Sequence, residues 1–182
     1  MGKLYEYITS DLQKWIAHQK IFFVATAPLS EEGHINCSPK GLDSFRIIDG
    51  NTIAYQDLTG SGVETIAHLQ ENGRIVIMFC AFDGPPKIVR LHGTGEVITP
   101  EHADYAHLSM LFPERMGVRA YIRVHITRIS DSCGYSIPLY DFKKDRDALD
   151  KWTANKGTEG LVTYRAQKNM ESIDGLNGLD PS

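Results

Sequence analysis

The stretch FFVATAPLSEEGHINCSPKGLDSFRIIDGNTIAYQD, Phe22 to Asp57, decides the fold. It falls into runs rich in β-branched and aromatic residues, Ile21–Leu29, His34–Lys40, Phe45–Ile48 and Thr52–Gln56, with Glu31-Glu32-Gly33 and Asp49-Gly50-Asn51 between them. Turns of that length are too short for a parallel crossover, so successive runs return antiparallel. Further along, Ile75–Phe82, a break at Asp83-Gly84-Pro85-Pro86, Lys87–Thr99 and Ala120–Ser130 continue the pattern. Helical spacing is confined to the flanks and gaps. Leu4, Ile8, Leu12, Trp15 and Ile16 predict an amphipathic opening helix, and Gly62–Asn72 and Pro100–Leu111 predict two more. Asp145–Asn155 and Glu159–Met170 read as a helix pair split by Gly157. Six or seven antiparallel strands with peripheral helices predict a mainly β protein, a small closed or split barrel, because closure removes unpaired edges. Residues 1–140 are the expected barrel domain. Residues 141–182 are the expected helical extension, whose Gly- and Asp-rich end docks on the barrel, reaches a partner subunit or stays loose.

Composition narrows the function. A chain of 182 residues with 42% hydrophobic content supports one core, and a formal charge of −4 argues against an electrostatic binder of nucleic acid or anionic membrane. Cys37, Cys80 and Cys133 are far apart, which suggests neither a disulfide framework nor a zinc site. With no membrane span and no secretory signal, a cytoplasmic protein is expected. The seven histidines include no His-Glu-x-x-His pair, so no metal is expected; His68 and His92 are the two placed on barrel elements.

Gly60-Ser61-Gly62 sits at the mouth of the second helix. It is either a plain connector or a turn that aims backbone N–H groups and a hydroxyl at an anion. Thr65 stands where the dinucleotide fingerprint has its third glycine, and no Gly-Lys-Ser/Thr follows. A nucleophile elbow is absent as well, since the two glycines are one residue too close to Ser61 on either side.

Taken in order, the Phe22–Asp57 stretch, GSGVETIAHLQENGRIVIMF, VRLHGTGEVI and SCGYSIP resemble the pyridoxamine 5'-phosphate oxidase-like FMN-binding split-barrel family over Phe22–Tyr140. They are closer to its uncharacterised cytoplasmic branch than to the oxidase itself. The resemblance implies a homodimer with FMN in a cleft at the interface. It assigns the basic position after the second strand to Lys40, followed by Gly41, and the pair lying along the isoalloxazine and ribityl chain to Tyr55 and Gln56. The phosphate turn falls on Ser61, Gly62 and Thr65. Glu64-Thr65 replaces the oxidase's Arg-Lys pair, so Lys40 and Arg90 are expected to supply the charge that a buried phosphate needs. The family's flavin contact on the later strand falls at Ile88, on the same face as Arg90 and His92, and Cys133 is placed beside the flavin or the substrate pocket.

Phe45 stands where the oxidase grips its substrate phosphate with lysine, and FPERMGVRAYI replaces its arginine-serine motif, so pyridoxine phosphate oxidation is not implied. No catalytic residue is assigned. The expected function is an FMN-dependent oxidoreductase acting on a small organic substrate, with NAD(P)H or oxygen closing the cycle. The alternatives are a non-catalytic flavin carrier or redox sensor, or a split barrel holding deazaflavin or haem.

Overall fold

The computed structural model describes residues 2–179. In chain order the elements are β1 (Leu4–Tyr5), α1 (Ser10–His18), β2 (Phe22–Thr26), β3 (Asn36–Lys40), β4 (Phe45–Ile47) and β5 (Thr52–Leu58). They continue with α2 (Glu64–Asn72), β6 (Arg74–Cys80), β7 (Ile88–Ile98), α3 (Tyr105–Ser109), β8 (Val118–Ser132) and α4 (Ala148–Lys168). One eight-stranded sheet, antiparallel throughout, runs β3-β2-β6-β7-β8-β5-β4, and β1 pairs with the far end of β8.

The sheet curls until its two ends face each other. Phe22 on β2 meets Phe45 on β4 at 5.2 Å and Tyr55 on β5 at 5.7 Å between ring centroids, although these strands lie towards opposite ends of the sheet. Among the described residues no backbone ladder joins β3 to β4, so the barrel is split and side chains seal the gap. Period-2 alternation fills it: Phe22, Val24, Ile77, Phe79, Val89, Leu91, Ile53 and Tyr55 all point inward and form one core with α1 and α2. Ala54, Ile98, Phe112 and Tyr121 form a smaller cluster, with Leu108 of α3 packed on it.

The opening differs from the sequence expectation. Leu4 and Tyr5 are a strand on Ile129 and Ser130, not the first turn of a helix, and α1 begins at Ser10. Thr9 is the reason, because its hydroxyl accepts from Leu12 N–H at 3.3 Å and caps the helix there, while Tyr5 O–H donates to Asp131 at 2.6 Å and holds the strand. The helix expected over Pro100–Leu111 contracts to Tyr105–Ser109 between turns.

In α4, Gly157 adopts φ 66° and ψ 175° and breaks the helix in two, as its position predicts. The last described residues, 172–179, dock. Asp174 accepts from His34 N–H at 2.8 Å, Leu179 N–H donates to the Asn169 carbonyl at 2.8 Å, and the Leu179 side chain joins the main core.

Candidate functional site

Asp57 is the centre of the most heavily charged part of the interior. It is the inward residue two after Tyr55 on β5 and has no solvent exposure. Lys40, at the last position of β3, donates to its Oδ1 at 3.1 Å across the seam of the split barrel. Arg119, near the start of β8 and 6% exposed, donates through Nε to its Oδ2 at 2.6 Å. Burial pushes the Asp57 carboxyl up, but the charges and hydrogen bonds of Lys40 and Arg119 outweigh it and hold its pKa below the ordinary carboxylate value.

From Asp57 the network reaches the Gly60–Gly62 turn. Arg119 Nη1 donates to the Gly62 carbonyl at 2.9 Å, and Asn169, at the end of α4, donates to the Gly60 carbonyl at 2.9 Å. Arg165 of α4 donates to Thr59 Oγ1 at 3.0 Å and to the Val118 carbonyl at 3.1 Å. It pairs with no carboxylate among the described residues; burial and the neighbouring Arg119 charge both lower its pKa. Two cations, Lys40 and Arg119, therefore converge on one buried carboxylate, and a third, Arg165, reaches the adjoining Thr59. No side chain caps the start of α2, so its first amides remain available beside the turn. The Glu64 carboxylate folds back against Gly62, where any side chain would collide with it.

The residues expected at the site divide into groups. Lys40 reaches the Asp57 network, and Gly41 follows it on the rim of a cavity. Ser61 is exposed on the turn, with Gly62 beside it. Thr65 points away into a buried polar cluster: Asn36 donates to Thr65 Oγ1 at 2.9 Å and to Thr26 Oγ1 at 3.2 Å, and Thr26 Oγ1 lies 2.9 Å from His68 Nδ1. His68 Nε2 is buried without a partner, and desolvation lowers its pKa. Tyr55 is sealed in the core with its hydroxyl unpartnered, and Gln56 is covered by the segment before β8, donating to the Pro113 carbonyl at 2.8 Å.

Arg90 does not join Lys40. It lies three strands away along the sheet and on the opposite face, since its neighbours Val89 and Leu91 point inward. There it donates to Ser132 Oγ at 3.0 Å, beside the exposed Cys133. Sequence reading missed Asp57, Arg119 and Arg165. Asp57 carried a usable signal, an acid in phase with inward Ile53 and Tyr55, whereas nothing local links Arg165 to a turn so far back along the chain. Among the described residues no cluster of His, Cys, Asp and Glu could hold a metal ion, and no helix is long and apolar enough to cross a membrane.

Comparison with known proteins gives the lineage. A pyridoxamine 5'-phosphate oxidase family protein of Aspergillus flavus, ustO, is 42% identical over 199 aligned positions, covering 98% of this chain and 78% of its own. The solved structure of HupZ from Group A Streptococcus is 31% identical, with a TM-score of 0.53 over 67% of this chain and 91% of that one. A FAD-binding protein of Mesorhizobium loti shares the fold at 12% identity and a TM-score of 0.50, covering 72% of this chain and 96% of its own. The family profile described as pyridoxamine 5'-phosphate oxidase matches residues 8–133, so with its split antiparallel barrel this chain belongs to the pyridoxamine 5'-phosphate oxidase family.

Proposed function

We propose that this chain binds FMN at a homodimer interface in the cytoplasm and uses it as an oxidoreductase on a small organic substrate. One observation carries the reading: Lys40 and Arg119 share a single buried carboxylate, and Arg165, with no carboxylate of its own among the described residues, reaches Thr59 beside an uncapped helix start. That leaves a positive surplus where family resemblance expects a phosphate, and a phosphate monoester brings close to two negative charges. Glu64 counts against it and must swing off Gly62 when the anion arrives, as like charges at that distance repel.

In this reading Arg119, Arg165, Ser61 and the first amides of α2 hold the phosphate, and Lys40 holds Asp57 in place so that Arg119 presents its guanidinium to the turn. Bound FMN supplies hydride or electron transfer, and a second subunit covers the ring. That a fold relative is described as FAD-binding supports a flavin in general. The phosphate site favours the mononucleotide.

The absorption spectrum of the purified protein, followed by release and identification of the chromophore, separates FMN from FAD, deazaflavin and haem. The Arg165→Ala variant is expected to bind FMN about tenfold more weakly, the worth of one charged hydrogen bond, and Lys40→Ala is expected to weaken it as well, by releasing Asp57 and with it Arg119. Full FMN retention in the double variant would overturn the site. Aerobic oxidation of NADPH separates an enzyme from a flavin carrier.

A further inference from the structure

Beyond the end of β3, and lined by no residue of the 59–65 turn, lies a separate cavity of about 710 Å3. Ligand pockets typically fall at roughly 300–1,000 Å3. Its inner wall is the end of β3 and the link from α1 to β2, and its outer wall is the strap 140–149 that leads from β8 to α4. The strap has no regular structure up to residue 147 and is tied down by the Tyr140 N–H donating to the Phe82 carbonyl at 2.8 Å. The Tyr140 ring rests on Phe82 at 5.6 Å between centroids, and Lys20 Nζ stands 5.7 Å from the centroid of Phe142.

The charge of this lining runs against that of the whole. The chain carries a formal −4, yet five Lys and Arg side chains line the cavity against three aspartates. One of those aspartates, Asp83, already faces His18 at 3.2 Å. Among the described residues Lys20, Lys143, Lys144 and Arg146 take part in no ion pair. Cations on an open surface are screened within about 10 Å, but in a concavity walled by apolar rings their fields add. Tyr140 and Phe142 give the concavity flat apolar faces on which a ring can stack, and the unpaired cations beside them attract an anion.

We propose that this cavity binds a planar aromatic anion, a carboxylate or phosphate ester, with its ring against Tyr140 and Phe142 and its acidic group among Lys143, Lys144 and Arg146. Calling that anion the substrate rests on the flavin reading, with Lys40 bordering both places; the binding itself does not.

The test is calorimetric titration of the protein as purified with 1-naphthoate and 1-naphthyl phosphate, using 1-naphthol and inorganic phosphate as partial mimics. Both naphthyl anions are expected to bind at least about tenfold more tightly than either mimic, and the stronger of the two identifies the acidic group. The Lys143→Ala/Lys144→Ala/Arg146→Ala variant changes only exposed side chains, and it is expected to weaken both anions at least tenfold at an unchanged melting temperature. Phe142→Ala is expected to weaken them while leaving inorganic phosphate unaffected. Equal binding by the triple variant, or no binding at all, overturns the proposal. So does stoichiometric release of bound flavin by the probe, which would make the cavity the cofactor's own. A colourless preparation would remove the flavin reading alone, and the titrations would still decide this one.

Discussion

At the scale of single residues the largest energies sit at Asp57. A buried charge pair is costly to assemble, yet removing one partner is worse, because the other is left without compensation. Asp57→Asn leaves Lys40 and Arg119 facing each other and is expected to cost about 3 kcal/mol or more in chemical denaturation. pH acts through two groups in separate windows. His68 is held neutral in the fold, so as pH falls below about 6.5 the unfolded chain takes up a proton that the folded one resists, and stability drops. Asp57 has a lowered folded pKa, so its contribution is present above the unfolded value of about 3.9 and is lost only as pH falls through the lower folded value. Melting temperatures should therefore decline first in the mildly acidic range, and His68→Gln should flatten that first decline but not the second. Little of this was legible beforehand. Strand alternation gives the face on which a residue lies, but not which strand the curl of the sheet brings opposite, so Lys40 was found by resemblance and its partner Asp57 was not.

At the scale of elements, local chemistry decided most boundaries. The strands were readable because β-branched and aromatic runs ended at Gly, Asp and Pro, and the split at Gly157 because glycine tolerates a positive φ. Gly157→Ala is expected to destabilise by about 1 kcal/mol, since an L side chain resists that backbone conformation. The opening helix was overextended because Leu4 and Ile8 share its spacing while a capping hydroxyl sits between Ile8 and the true start. Thr9→Ala is expected to cost about 1 kcal/mol and to fray α1 from its first turn, measurable by amide exchange at residues 10–13. His34 and Asp174 form the side-chain tie between the segment 172–179 and the barrel, alongside the Leu179 contacts. Asp174→Ala should speed amide exchange over residues 172–179 and leave the melting temperature of the barrel unchanged.

At the scale of the whole molecule, the family match ends at residue 133, yet two groups of interest come from later in the chain. Arg165 reaches back to the turn, and the strap before α4 walls the large cavity. Sedimentation is expected to give twice the chain mass, and flavin that stays bound after dilution to monomer would remove the interface from the reading. β8 has a further consequence. It is the longest strand, and it alone joins β7 on one side to β5 on the other while also holding β1. During synthesis β2, β3, β6 and β7 can assemble as they emerge, but the β4–β5 hairpin has nothing to join it to them until residues 118–132 leave the ribosome. A nascent chain arrested before Val118 therefore offers two bare strand edges at once to any chaperone or neighbouring chain, and translation speed across that strand governs how long they stay open.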